Sequence, residues 1–216
     1  KDIILITYGD HIHNEGEKPL KTLKRFLDDH CKGSLNSVHI LPFYPYSSDD
    51  GFSVIDYTAV NDELGDWKDV AAIGTDYRLM CDAVVNHMSS QSNWFKSYLA
   101  GAEKYANYFV DTDPNIDLSM VVRPRTSPLL TPYKAADGTI KNIWTTFSAD
   151  QVDLNYENYK LLIDVLDVLF TYVQHGATLI RLDAIAFLWK VPGLPSVPLP
   201  QTHEIIQLMR EVLHQV

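Results

Sequence analysis

The sequence contains little cysteine. Its 216 residues include only two, Cys31 and Cys81. Two cysteines cannot form the disulfide framework of a small secreted domain, and they match no zinc-binding motif. A reducing compartment is the default expectation for such a chain, so we predict a cytoplasmic protein that uses neither a metal ion nor a cofactor.

Long apolar runs and clusters of positive charge are also missing. No run approaches the ~18 apolar residues that a membrane-spanning helix needs, and we expect no signal peptide before "KDIILITYGD". The net charge is -10, with 18 basic against 28 acidic residues. Because nucleic acids bind to positive patches, we expect neither a nucleic acid nor a membrane as a partner.

Four near-continuous apolar runs are present, and polar residues follow each of them. They span Asp2 to Tyr8, Ser37 to Phe43, Tyr77 to His87, and Gly176 to Phe187. Runs of this kind are typical of strands in a parallel sheet that is covered on both faces.

Helical patterns alternate with these runs. They span Pro19 to about His30, Trp67 to Ile73, Tyr159 to Gln174, and a closing helix from about Thr202. Alternation of strands and helices predicts βαβ units and an α/β fold.

An irregular stretch from Ser90 to Asn158 interrupts the alternation. A structureless loop of that length is improbable in a compact domain, so we interpret it as an inserted subdomain. Eight βα units close a barrel of ~250 residues. The sequence thus predicts the first four βα units of a TIM (β/α)8 barrel, with a subdomain inserted after the third strand. The predicted boundaries are 1–89, 90–158 and 159–216.

Two charged residues lie in the fourth apolar run, "GATLIRLDAIAF". Side chains alternate along a strand, so Arg181 and Asp183 point to the same face. In a buried strand they would form an ion pair. That pair is either a structural salt bridge or a carboxylate that its arginine keeps ionised for chemistry.

Further polar residues gather where the other strands end. "DDGF" (Asp49 to Phe52) follows the second run, and Asn86 and His87 end the third. The carboxyl ends of the strands build the active site of a (β/α) barrel. The joint placement of these polar residues at one rim favours a shared functional role over separate structural roles.

Several segments resemble a known family. "DAVVNH", "QVDLN" and "IRLDAIAF" resemble three ordered motifs of the α-amylase superfamily of glycoside hydrolases. The finer detail resembles the sucrose phosphorylase branch of that superfamily. It is carried, in the same order and over essentially the whole chain, by "ITYGD", "HILPFYPYSSDDGFSVIDY", "GDW", "VNHMS", "RPR", "WTTFSADQVDLN" and "LPQTH".

The resemblance implies a retaining mechanism. Such enzymes use one carboxylate as nucleophile and a second carboxyl group, about 5–5.5 Å away, as acid and base. Asp183 matches the nucleophile, and Arg181 would keep it ionised. The family's acid/base glutamate and its transition-state aspartate come from strands five and seven. We therefore expect the 216 residues alone to be inactive.

The resemblance also implies a set of substrate-binding residues. Asp49 and His87 would hold sugar hydroxyls, and Phe52 would form an apolar wall. Phe147 and Gln151 match residues that border the bound glucosyl unit. Arg125, the second arginine of "RPR", matches a loop residue that meets phosphate, for which a planar guanidinium is suited. The alternative for Arg125 is a surface ion pair with an aspartate such as Asp117.

Alternatives remain for the reaction and for the substrate. The glucosyl unit could pass to inorganic phosphate or to water. Phe187 stands where some sucrose phosphorylases have tyrosine, so the resemblance leaves open, besides sucrose, donors such as glucosylglycerate or a phosphorylated sucrose. A third reading is a non-catalytic half-barrel fragment, whose two open sheet edges would favour self-association.

We expect a structural role, and no part in catalysis, at four further polar positions. We expect Asp56 and Asp82 to bond to neighbouring backbone, and His11 to lie in a solvated loop. Asn86 corresponds to a calcium ligand of many amylases, but no complete ligand set accompanies it here.

Overall fold

Four parallel strands form the main sheet of the computed structural model, which describes residues 2–197 and 199–216. Numbered in chain order, they are β1 (Ile4–Thr7), β2 (Ser37–Ile40), β3 (Arg78–Ala83) and β8 (Ala177–Leu182). Their spatial order is β1-β2-β3-β8, and every neighbouring pair is parallel. The parallel sheet of the predicted α/β fold is confirmed.

Two antiparallel pairs contain the other strands of the described part of the chain. The first joins β4 (His87–Ser89) to β7 (Gln151–Asp153). The second joins β5 (Leu130–Lys134) to β6 (Ile140–Trp144).

The predicted strand from Tyr77 to His87 is wrong at its carboxyl end, because β3 stops at Ala83 and His87 begins β4. The backbone between them has other partners. Tyr156 Oη donates to the carbonyl of Val85 at 2.6 Å, and the amide of Leu154 donates to the carbonyl of Asn86 at 2.9 Å. The chain therefore turns out of the parallel ladder just before His87.

The described residues form five α-helices. They are α1 (Pro19–Phe26), α2 (Trp67–Asp76), α3 (Asn93–Leu99), α4 (Tyr159–Gln174) and α5 (Pro200–Leu213). A π-helical turn, Leu27–Cys31, extends α1. A capping box between Asp66 and Asp69 starts α2, and Pro200 at the first turn of α5 fits the missing N–H of proline.

The chain divides into two compact units. Unit 1 comprises the residues up to Ala83 together with Val168–Leu182, and unit 2 comprises Val84–Asp167 and Asp183–Val216. The core of unit 1 contains aliphatic side chains of α1, α2 and the sheet, and Tyr44 stacks on Tyr172 with ring centroids 5.1 Å apart. The core of unit 2 is more aromatic, with Phe95 packed edge-on against Phe109 and Tyr133.

The proline-rich segment 191–200 forms turns and irregular backbone up to Val197, because a proline residue cannot donate a hydrogen bond to a helix or a strand ladder. Pro198 lies outside the described residues. The carbonyl of Pro195 accepts a hydrogen bond from the amide of Val122 at 3.1 Å. Across the described ranges, none of the helices is both long enough and apolar enough to cross a membrane.

Candidate active site

Asp82 is the central charged group at the end of the sheet in unit 1. Its side chain is fully buried, and the His39 ring donates from Nε2 to Asp82 Oδ2 at 2.7 Å. Arg181 Nη1 donates to Asp82 Oδ1, because Asp82 and Arg181 face each other in the β3–β8 register. The expectation that Asp82 bonds to backbone is wrong, since the sheet ladder already uses the neighbouring backbone groups. Asp56 does accept from the amide of Thr58, as expected.

Arg181 is not the buried residue that the sequence suggested. Its side chain is 43% exposed, because β8 pairs only with β3 among the described residues. The guanidinium carbon lies 6.0 Å from the centre of the Phe52 ring, a cation–π distance. One side of this cation is thus fixed by Asp82 while the group remains accessible to a ligand.

Asp49 lies in a strained turn that follows β2. Asp49, Asp50 and Gly51 all have positive φ, at 57°, 50° and 99°. A Cβ atom on Gly51 would lie 2.8 Å from the carbonyl oxygen of Pro42, so this position requires glycine. Such strain is often found at ligand-binding sites. Both aspartates are exposed, and they contribute, after burial, to raising the pKa of Tyr8.

His87 organises the candidate residues of unit 2. Its ring is buried, with Nε2 3.2 Å from Gln151 Nε2 and Nδ1 3.1 Å from Asn86 Nδ2. The ring of Phe147 lies 5.0 Å from the His87 ring and packs edge-on against Phe187 at 5.5 Å. The structure therefore places three predicted substrate residues, His87, Phe147 and Gln151, in one group with an aromatic wall.

Asp183 is half-buried and follows directly after β8. The next residue, Ala184, adopts a left-handed conformation with φ 52°, and a single helical turn, Ile185–Phe187, follows it. A left-handed alanine is strained. The sharp change of direction after Asp183 leads the chain from the strand into the wall formed by Phe187.

Lys190 is a residue of this region that sequence reasoning missed. Its ammonium group is almost completely buried and contacts Asn86 Oδ1 at 3.0 Å, Asp153 Oδ2 at 3.1 Å and the carbonyl of Phe187 at 2.7 Å. Burial lowers the pKa of Lys190, and the charge of Asp153 opposes that effect. A lysine within the apolar run "AIAFLWK" was the available signal, because a lone charge there needs a buried partner.

The contacts of Lys190 also bear on whether Asn86 could be a metal ligand. Its amide oxygen accepts from the Lys190 ammonium, and the described part of the chain contains no group of three or more His, Cys, Asp or Glu residues arranged to hold a metal ion. His11 is exposed, as expected for a loop residue.

The two arginines of "RPR" differ in their surroundings. Arg125 is exposed. Arg123 is half-buried and donates from Nη2 to Ser127 Oγ at 3.2 Å, and Ser127 Oγ donates to the carbonyl of Phe147 at 3.3 Å. Burial lowers the pKa of Arg123. The structure thus links Arg123 to the Phe147 wall, while the role predicted for Arg125 stays a prediction.

Sequence and structure comparisons identify the relatives of this chain. The model of the α-amylase catalytic domain matches residues 32–216. The chain is 50% identical to the glucosylglycerate phosphorylase of Spirochaeta thermophila over 100% of its own length and 36% of that protein. It is 33% identical to the sucrose phosphorylase of Bifidobacterium adolescentis over 96% of its length and 42% of that protein.

A solved structure shows the same fold. The crystal structure of sucrose 6F-phosphate phosphorylase from Thermoanaerobacter thermosaccharolyticum superposes with a TM-score of 0.89 at 27% identity, covering 97% of this chain and 45% of that protein. The chain thus spans about two fifths of the length of these relatives, and the resemblance seen in its motifs is confirmed. It belongs to the α-amylase catalytic-domain family.

Proposed function

We propose that this chain is part of a phosphorylase that moves a glucosyl unit from an α-glucoside to inorganic phosphate. In this proposal β1, β2, β3 and β8 with their helices form the first four βα units of a (β/α)8 barrel. The segment after β3 is the inserted subdomain that carries Phe147, Gln151 and Arg125.

The reaction would proceed in two displacements. A carboxylate oxygen of Asp183 bonds to the anomeric carbon while the glycosidic bond breaks, and the departing oxygen takes a proton from a carboxylic acid outside these residues. A phosphate oxygen then bonds to the same carbon and the bond to Asp183 breaks. Two inversions retain the configuration, and the product is glucose 1-phosphate.

The observation that carries the proposal is the position of Arg181. Its guanidinium donates to the fully buried Asp82, because the two residues face each other in the β3–β8 register, and Arg181 lies two residues before Asp183 in the chain. The attraction within a buried ion pair is largely offset by the lost hydration of both charges, so stability alone is a weak reason for such a pair. A guanidinium held in this way suits the task of keeping a nucleophilic carboxylate ionised.

Within this class we propose glucosylglycerate as the donor. Support comes from identities of 47–51% over the whole chain to glucosylglycerate phosphorylases, against 30–33% to sucrose phosphorylases. Glycerate carries a carboxylate, and the loop with Arg123 and Arg125 supplies the cations that an anionic leaving group and phosphate both require. Sucrose, the donor that the motifs first suggested, is the second candidate.

The test incubates the full-length protein and phosphate with each donor in turn. Glucose 1-phosphate should form fastest from glucosylglycerate, and mass spectrometry of the quenched enzyme should find a glucosyl group on Asp183. Free glucose as the only sugar product would instead assign a hydrolase. Phosphorolysis of sucrose alone would overturn the choice of donor and keep the reaction.

We further propose that the 216-residue chain self-associates when it is isolated. The supporting observation is the open edge at β1, where Ile4 is 41% and Ile6 62% exposed. Exposed apolar edge strands pair with other chains. Light scattering at rising concentration should show a growing mass, and a stable monomer would contradict this proposal.

Both cysteines are free thiols, which supports the cytoplasm as the compartment.

A further inference from the structure

The contacts of Lys190 lead, each through one neighbouring residue, to three of the predicted substrate residues of unit 2: His87, Phe147 and Gln151. Asn86 precedes His87, and Asp153 lies two residues after Gln151 in β7. Asp153 also accepts from the amide of Thr146, the residue before Phe147, at 3.1 Å. The three protons of the ammonium have three acceptors, so this buried cation is fully satisfied.

The contact with Asn86 has a chemical consequence for His87. An ammonium group can only donate, so Asn86 must present its oxygen to Lys190. The NH2 group of the same amide then faces Nδ1 of His87. Since that group can only donate, Nδ1 of His87 must accept and therefore carries no proton.

A neutral imidazole accepts at one ring nitrogen only, so its proton lies on the other. Gln151 faces Nε2, and its amide oxygen is bonded to Ser148 Oγ at 2.9 Å. Because a hydroxyl can donate or accept, Gln151 can rotate and present its oxygen to Nε2–H. Asn86 has no such freedom, since its partner is an ammonium.

We propose that Lys190 is a positioning residue that acts through Asn86 to hold the proton of His87 on Nε2. His87 thereby offers a hydrogen-bond donor on the side of Gln151 and Phe147. The inference rests on the proposed function only in its last step, where a hydroxyl of the glucosyl unit replaces the Gln151 oxygen as the acceptor of that proton. The tautomer itself follows from contacts within unit 2.

The first experiment measures the tautomer directly in the full-length protein without substrate. Histidine is labelled with nitrogen-15, and the ring shifts of His87 are read by NMR. The wild type should show protonated Nε2 and bare Nδ1. In Asn86→Asp the new carboxylate can only accept a hydrogen bond from the ring, so the proton of His87 should move to Nδ1. A wild-type proton on Nδ1, or an unchanged spectrum in folded Asn86→Asp, would overturn the proposal.

The second experiment removes the cation without leaving a buried charge. The variant combines Lys190→Met with Asp153→Asn and so removes both charges of the pair. A double variant is chosen because the loss of one charge alone strongly destabilises a buried pair. The His87 spectrum should become a mixture of tautomers. The kcat/KM for the donor should fall about 10- to 100-fold, as for other supporting residues, while KM for phosphate changes less than about twofold. The matched control is Lys104→Met, since Lys104 is an exposed lysine of the same unit.

A third arm covers the case in which the double variant does not fold, and its variant is prepared in the presence of propylammonium, which supplies the counter-charge that a buried Asp153 needs. Lys190→Ala is assayed with propylammonium and, separately, with 1-propanol, which has the same shape and no charge. Recovery of activity and of the wild-type His87 spectrum with the amine alone supports a role for the cation. Equal recovery with the alcohol would reduce Lys190 to a packing role. If the wild type forms no glucose 1-phosphate, the proposed function fails while the tautomer measurement still decides this inference.

Discussion

Asp82 in unit 1 and Asp153 in unit 2 are both fully buried carboxylates, and each bonds to the side chain of an arginine or a lysine, but these two cations differ in exposure. Arg181 keeps 43% of its side chain exposed, whereas Lys190 exposes only 2%. A cation that is anchored yet accessible can act on a ligand or on a neighbouring carboxylate. An enclosed cation can act only through the groups that surround it. The comparison separates a candidate catalytic arginine from a positioning lysine.

The largest effect should come from the carboxylate that follows Arg181 in the chain. Asp183→Asn keeps the shape and removes the negative charge, so the glucosyl intermediate cannot form. We expect kcat to fall by about 10⁴-fold or more, with phosphate affinity little changed. The control is Asp117→Asn in the full-length protein, because Asp117 is an exposed loop residue that bonds to the Ser119 amide. Retention of most activity in Asp183→Asn would show that another carboxylate is the nucleophile.

The two buried carboxylates should differ in what they contribute to stability. Asp153→Asn leaves the Lys190 ammonium enclosed without its counter-charge, which should cost about 3–5 kcal/mol. Asp82→Asn should cost less, about 1–3 kcal/mol, since Arg181 can turn towards water. Urea unfolding followed by tryptophan fluorescence measures both differences. Equal losses would remove the distinction between an enclosed and an open cation.

The strained turn of unit 1 offers a smaller effect with a matched control. Gly51→Ala should destabilise by about 2–3 kcal/mol, because the new methyl group would approach the Pro42 carbonyl oxygen at 2.8 Å. Gly33 has a similar positive φ with nothing near its Cβ position, so Gly33→Ala should cost only about 1 kcal/mol. Denaturant midpoints give both values. Gly51→Ala should also raise KM for the donor, whereas Gly33→Ala should not.

The smallest effect concerns the "RPR" loop and distinguishes phosphorolysis from hydrolysis. Arg125→Ala should raise KM for phosphate about tenfold, the loss expected for one charge-assisted hydrogen bond. It should also shift the product towards free glucose, since water then competes for the intermediate. Arg25→Ala, which removes a surface arginine paired with Glu17, is the control. An unchanged ratio of glucose 1-phosphate to glucose would exclude Arg125 from the acceptor site.

Most of the fold could be predicted from local patterns. The helix from Tyr159 to Gln174 has the predicted bounds, because its apolar period is long and Gly176 follows it with φ 96°. The parallel sheet followed from apolar runs that end in polar residues. The relation to the α-amylase family was visible in short motifs, because the chain has residue types that resemble those of the family in the same order.

The sequence by itself determined which residues carry charge, where strands and helices alternate, and which family the chain belongs to. Tertiary structure alone decided how the charges are paired. Asp82 bonds to His39 and Arg181, which are 43 and 99 residues away, and Lys190 bonds to Asn86 across 104 residues. No local pattern encodes such pairs, because they depend on strand register and on where the chain leaves the sheet.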